Sequence, residues 1–481
     1  MTAVVNPRRS RYTVFERPSI ALGGDPVKKV DMLHGSVTGS LLRFSLPLVL
    51  TSWLQMLFNS ADSLVVGRYA GSEALAAVGA TFAFVMLVVG FFGGLAAGVT
   101  VCAANDIGAG DTDSYHETMH VSVLLAFLIG LFVLALGEAL SRPVLNLMGA
   151  PADIIDSSVV YLRLYFLCMP AQMVYGTGAS LMRARGDARN PLIFLTISGA
   201  CNLLLNIIFV AVFHWDVVGV AAATVITQYL SAILAVRALL REAEPWRLHL
   251  DRLCLRKQKI ARILRIGLPA GLQTSMLAAS DIPLQSCVNS LGSLAVSGNA
   301  AALNVDGLVF MTLESLSQAC TVFTGQCVGA RDHARAGTVF RRSLVITVGC
   351  GILLGGIGAV LRFRIVSLFL PHTPEAVAFG ADRALAVVSF VFIYAIMATI
   401  NAHLRGYGVS ILPAAVNIFA LFFFRLIWSF AYFPHHPSLF HLYISYPIGW
   451  TIAIVLLLFL YRPAMNRARV RLDAEAGDGS S

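Results

Sequence analysis

Charge is what this sequence has least of. Only 13% of its 481 residues are Asp, Glu, Lys or Arg, while 57% are apolar. An ordinary soluble domain is nearer a quarter charged. The length alone would suit roughly three soluble domains. The composition excludes them, because each would have to hide more apolar surface than its interior can hold. Other absences narrow the function. No phosphate-binding loop, dinucleotide fingerprint or catalytic triad is present. That speaks against an enzyme and against a pump that hydrolyses ATP by itself. The eight cysteines (102, 168, 201, 254, 287, 320, 327 and 350) show no metal-ligand spacing, so free thiols, no metal site and no cofactor are expected. The N-terminal "MTAVVNPRRSRYTVFERPSIALGGDPVKKVD" has basic residues but no apolar core of the signal-peptide kind, and reads as a tail.

What is abundant is long apolar sequence. Windows of about twenty residues, enough to cross a ~30 Å hydrocarbon core, recur along the chain. They fall near 41–66, 74–101, 118–139, 157–181, 191–213, 217–240, 261–286, 294–322, 341–361, 382–403, 412–433 and 441–461. Their continuity predicts helices rather than the alternating strands of a barrel. The expected fold is an all-α integral membrane protein with twelve transmembrane helices. The expected divisions are a tail (1–40), an N-lobe of six helices (41–240), a connector (241–260), a C-lobe of six helices (261–461) and a second tail (462–481).

Basic residues set the expected orientation. Most of the 35 Lys and Arg fall on one side if both termini share it, including a run of nine between Arg237 and Arg265. By the positive-inside rule that side is cytoplasmic. The formal charge of +9 then needs no nucleic acid; contact with anionic lipid headgroups accounts for it. One inner loop, "NDIGAGDTDSYHET", is acidic and breaks the pattern.

The chain also repeats itself. Pro47 in "SLPLVL" matches Pro269 in "GLPAGL", 222 residues on. Gly71 matches Gly292, and Gly108-Ala109 matches Gly329-Ala330, each at 221. Arg185-Gly186 is paired with Arg405-Gly406 at 220. Six spans per repeat return the chain to its starting side, so the bundles form a parallel repeat about an axis along the membrane normal. Two such bundles enclose a cleft suited to alternating access.

Polar side chains inside the spans are the site candidates. Asp62 stands in an apolar run, with Asn59 and Gln55 behind it at three and seven residues on nearly one helix face. An ionised carboxylate in a span costs ~2.5–3.5 kcal/mol or more to insert, so it marks function unless it is merely solvated at a helix end. Asn202 and Asn206 form an i, i+4 pair on the fifth span, where ordinary helix–helix hydrogen bonding is the plainer reading. Asp281, Gln285 and Asn289 share a face of the seventh span, and Glu314 and Gln318 do so on the eighth. Either acid suits a cationic ligand or a hydrogen bond inside its own lobe. Asp306 reads as a solvated residue near a span end, and Arg425 as a structural partner for a C-lobe acid.

These residues in order resemble the multidrug and toxic compound extrusion (MATE) family. The pattern Pro47, Gln55, Asn59, Asp62, Gly67, "GSEALAAVG" is similar to its first span, and "YLRLYFLCMP…LMRARGDARNP", Asn202 and "GVAAATVITQ" follow suit. The second half agrees in "IGLPAGLQTSM", Gln285, Asn289, "FTGQCVGARD" and "LRGYGVSILP". The details look closest to the bacterial branch of DNA-damage-inducible F proteins. The resemblance implies a monomeric twelve-helix antiporter of the bacterial inner membrane, exporting organic cations or amphipathic compounds against protons or, less favoured, sodium. It implies an ion-coupling group of Asp62, Asn59, Asn202 and Asn206. Gln55, Asp281, Gln285 and Glu314 are then the substrate-binding candidates. Where the family often has Asn then Asp four residues on, this chain has Asn202 and Asn206, and the seventh-helix acid of the sodium-linked branch is missing from "SMLAAS". A lipid-linked oligosaccharide flippase of the same superfamily is the alternative, but it calls for a basic cleft. A receptor or scaffold would leave the repeat unexplained.

Overall fold

A computed structural model describes residues 19–20, 26–27, 29–148, 155–371 and 373–478. The two tails expected from the sequence lie partly outside these. Apart from a two-residue antiparallel pairing of β1 (Ser19–Ile20) with β2 (Pro26–Val27), every described element is helical.

The N-terminal bundle comprises α1 (Val37–Val65), α2 (Gly71–Gly108), α3 (Thr112–Leu147), α4 (Ile155–Phe166) with α5 (Met169–Ala184), α6 (Arg189–Asn206) and α7 (Asp216–Leu240). The C-terminal bundle comprises α8 (Lys257–Ser290), α9 (Ser293–Gly329), α10 (His333–Phe369), α11 (Pro374–Val387) with α12 (Val391–Gly406), α13 (Ile411–Asn417) with α14 (Phe424–Ile427), and α15 (Leu439–Tyr443) with α16 (Ser445–Asp478). These are the twelve crossings, six in each bundle. Ten of them, among the described residues, are long and apolar enough to span a membrane by length and composition. The other two have physical reasons for falling short. The fourth crossing breaks at Leu167-Cys168, because Pro170 lacks an N–H and its ring is tolerated only in the first turn of a new helix, α5. The seventh, α8, opens on the basic "KQKIARILR" and later carries Asp281, Gln285 and Asn289. Helix α8 begins at Lys257, four residues before the span expected from 261.

Contacts assign the loops to faces. Gln326 Nε2 donates to Ala184 O at 2.6 Å. Arg185 pairs with Glu242 at 2.9 Å, and Arg335 reaches the carbonyl of Met32. These join the ends of α5, α7 and α9, the start of α10, the connector and the segment before α1 on one side, the connector face. The connector is pinned there by Trp246 against Tyr115, by buried Leu248, and by His249 N donating to His120 Nε2 at 3.0 Å. The acidic loop also finds its reason. Asp106 is buried and pairs with Arg262 at 2.8 Å and Lys259 at 3.4 Å, so connector-side cations neutralise it.

The repeat is visible in the loop geometry. Gly110 and Arg331, 221 residues apart, both have positive φ, and each precedes an aspartate that caps the next helix. Asp111 accepts from Ser114 N, and Asp332 from Arg335 N. The bundles meet through reciprocal glycines. A Cβ on Gly108 would lie 2.0 Å from Gln326 O, and one on Gly329 would lie 2.0 Å from Asn105 O. The fourth landmark is corrected. Gly186, the left-handed residue that ends α5, has its counterpart in Gly408, not Gly406, because Gly186 N bonds Arg183 O as Gly408 N bonds Arg405 O. The offset there is 222, as at Pro47 and Pro269.

Candidate functional site

On the N-terminal side, three helices converge on one carboxylate. Asp62, half-buried, lies on the last turn of α1. Asn206, fully buried at the end of α6, donates from Nδ2 to Asp62 Oδ1 at 2.7 Å. Asn202, one turn earlier, has its amide nitrogen 2.8 and 2.9 Å from the two Asp62 oxygens in the orientation that satisfies it. Its oxygen then accepts from Thr227 Oγ1 of α7 at 3.2 Å. Asn206 Oδ1 is buried without a hydrogen-bond partner among the described residues. Directly beyond Asp62 and Asn206 both helices widen into π turns, Val66–Ala70 and Ile207–Val212, and these pack on each other. Such turns open the i→i−4 ladder and recur at functional sites. Buried Tyr161 closes this corner against Val65 and Val210.

Asp62, Asn202 and Asn206 are therefore brought together. Asn59 lies one turn from Asp62 and is exposed, as is Gln55 a further turn back. Thr227 is a member the sequence reading missed. It lies inside "GVAAATVITQ", where Thr224 carries the same hydroxyl and nothing singles Thr227 out.

The C-terminal side is built differently. Asp281 accepts from Tyr446 OH at 3.2 Å and lies 3.7 Å from Arg425 Nη1. That guanidinium stacks over the Tyr446 ring at 3.6 Å and donates to Ser280 Oγ at 3.0 Å. Gln285 bonds Asn289 at 2.9 Å and receives Asn299 Nδ2 at 3.4 Å. Asn299 in turn accepts from Arg383 Nη1 at 2.7 Å, and Arg383 Nε donates to Asp306 Oδ2 at 2.8 Å. Asp306 is thus no solvated end residue: it is 2% exposed and neutralised by an equally buried arginine. Glu314 sits apart from this network, with Tyr394 OH at 2.9 Å and Arg405 at 3.9 Å.

The two lobes touch over part of their height. On one side Ser52 Oγ meets Ser315 Oγ at 3.0 Å, Trp53 Nε1 donates to Thr312 Oγ1 at 2.9 Å, and Gly307 faces Met56. On the other side Gly94 and Gly98 of α2 press on the backbone of α8, and Ser275 Oγ donates to Leu87 O at 2.9 Å. Asp62 lies six residues beyond Met56 and Asp281 six beyond Ser275, about 9 Å along each helix. Leu57, Asn59, Ser60 and Leu64 are exposed over that stretch. The halves are sealed at the connector face, and the contacts named between them stop six residues short of each acid.

Comparison with known proteins agrees with this architecture. The MatE family model matches residues 47–212 and again 269–431, so the two matches begin at Pro47 and Pro269. The "Probable multidrug resistance protein YoeA" of Bacillus subtilis (strain 168) is 26% identical over 451 residues, covering 90% of this chain and 96% of that protein. The "Probable multidrug resistance protein YpnP" of the same organism is 26% identical, covering 83% and 89%. A solved structure of a MOP superfamily transporter from Pyrococcus furiosus Vc1 (DSM3638) superimposes with a TM-score of 0.83 at 21% identity, over 94% of this chain and 99% of that one. By the double match of its two halves, the chain belongs to the MatE family, whose members are membrane transporters rather than enzymes.

Proposed function

We propose that the protein is a secondary active multidrug exporter that moves cationic or amphipathic organic compounds by alternating access, in exchange for protons. One observation carries the ion assignment. Asp281, Asp306 and Glu314 each have an arginine within 4.0 Å, whereas the described partners of Asp62 are amides. A carboxylate without a cation beside it is the one whose charge a proton or a cationic ligand must neutralise. Both can therefore compete for Asp62, and that competition is coupling. At 100 mV each charge moved contributes ~2.3 kcal/mol.

Asn59, exposed one turn before Asp62, is a polar step toward it, and Gln55, Asp281, Gln285 and Glu314 supply the substrate contacts. The names of the Bacillus relatives support multidrug efflux as the class. Sodium is the weaker alternative, since two amide nitrogens rather than oxygens face the carboxylate. A flippase is disfavoured because the arginines of the C-terminal network are taken up by acids. The connector face is assigned to the cytoplasm of a bacterial inner membrane, with the protein acting as a monomer.

The test is efflux in inverted vesicles under an imposed pH gradient, wild type against Asp62→Asn. Loss of proton-driven cation transport in the variant is expected. Unchanged transport would remove Asp62 from coupling, and activity under a sodium gradient alone would reassign the ion.

A further inference from the structure

The segment between the tail and α1 does more than lead into the first helix. On its N-terminal-bundle side, Val30 N donates to Gly186 O at 3.1 Å, and Lys29 pairs with Glu242 at 3.3 Å. Glu242 is itself held by Arg185 at 2.9 Å, so this anchor is fixed. Two residues on, Met32 is buried in the core that both bundles share. On its C-terminal-bundle side, the segment is held by a forked side chain. Arg335 of α10 donates from Nε to Met32 O at 3.0 Å and from Nη2 to His34 O at 3.0 Å and Gly35 O at 3.3 Å. Its Nη1 also reaches Gly35 O, at 3.4 Å. Residues 29–35 thus form a strap across the closed connector face, tied to one bundle at Gly186 and Glu242 and to the other at Arg335.

We infer that Arg335 is a positioning residue of the transport cycle: it holds the strap that keeps the connector face shut. The geometry gives the reason. Separating the bundles on this face has to break either the Arg335 fork or the Gly186 and Glu242 anchor, since Val30 and Met32, held by opposite bundles, are two residues apart and span at most ~7 Å. Bonds from a guanidinium to backbone carbonyls are charge-assisted, and each is stronger than a neutral pair. The fork points at carbonyls rather than at a carboxylate, so it can let go without leaving an unpaired acid behind. Arg335 also ends a repeat motif whose N-terminal counterpart ends at Ser114, 221 residues earlier; the strap therefore has one copy where the glycine seal has two.

The inference rests on alternating access but on neither the ion nor the substrate, so it is tested without them. Nitroxide labels at Asp113→Cys and Arg331→Cys, both exposed at the connector face, report the gap between bundles in a cysteine-free background. The unlabelled positions to vary are Arg335→Ala and, at the other anchor, Lys29→Met. Each is expected to raise the long-distance population, by ~10-fold for Arg335→Ala as a charged hydrogen bond is lost. Arg335→Lys, which keeps a cation but not the fork, is expected to fall between the two. Unchanged distance distributions in both variants would overturn the inference. So would aggregation of both on gel filtration, since the strap would then support the fold rather than gate a face.

Discussion

Asn206 holds its side-chain nitrogen 2.7 Å from the Asp62 carboxylate, across two helices and 144 residues of chain. The contact makes position 206 the nearest place from which another group could do the work of Asp62. A carboxylate at 206 would put its charge within one hydrogen-bond length of the present one. The double variant Asp62→Asn/Asn206→Asp is therefore expected to regain proton-driven efflux that Asp62→Asn loses. Vesicle transport under a pH gradient checks it. If the double variant is as inactive as the single one, the site needs its acid on α1 and not merely in this corner.

The Arg383–Asp306 pair should govern stability rather than transport. Both side chains are almost fully buried, and removing one leaves the other charge in a low-dielectric interior, a loss of about 3–5 kcal/mol. Asp306→Asn or Arg383→Met alone is expected to lower the melting temperature in detergent sharply. Replacing both, by Leu and Met, is expected to lower it by much less than the two single effects combined. Additive losses would mean that the two residues do not act as a pair.

How legible was this in the sequence? The spans, the repeat and Asp62 were legible, because lipid demands long apolar runs and makes an intramembrane acid conspicuous. Arg383 was not. It stands at the edge of its apolar window, and nothing in the sequence relates it to Asp306 of α9, which the fold brings against it. The joining of Asp62 to Asn206 was implied by resemblance alone, since no periodicity relates residues on different helices. The register at Gly406 slipped by two because sequence matched Arg-Gly with Arg-Gly, whereas the backbone matches the glycine with positive φ. The start of α8 at Lys257 was hidden in the same way: "KQKIAR" is too basic to look like the opening of an apolar span.

Asp281 is a testable case of competition. Arg425 lies near it without closing on it, at 3.7 Å, and the acid remains 64% exposed. A cationic substrate approaching Asp281 must displace part of that attraction. Arg425→Gln is expected to tighten binding of a fluorescent organic cation, and Asp281→Asn to weaken it. The changes should be modest, ~2–5-fold, because solvent at the exposed acid screens its attraction to the buried Arg425. Opposite signs in the two variants are the signature. Weakening in both would place Asp281 and Arg425 in the lobe's structure instead of its ligand site.

The reciprocal glycines allow a sharper test of how the halves meet. A methyl group at either Gly108 or Gly329 would sit 2.0 Å from a carbonyl oxygen of the other bundle, and backbone cannot swing aside as a side chain can. Gly108→Ala and Gly329→Ala are each expected to force the connector face apart. Cys327, buried beside Gln326 on α9, then becomes reactive to a water-soluble thiol reagent. Cys168, buried at the start of α5 in a separate cluster, should stay protected, which separates opening from unfolding. The two glycines press on one shared interface, so a displacement that accommodates the first methyl accommodates the second. The double variant should label Cys327 scarcely faster than either single one. Independent, multiplying effects would show instead that the two contacts open separately, and that the repeat's symmetry does not extend to its motion.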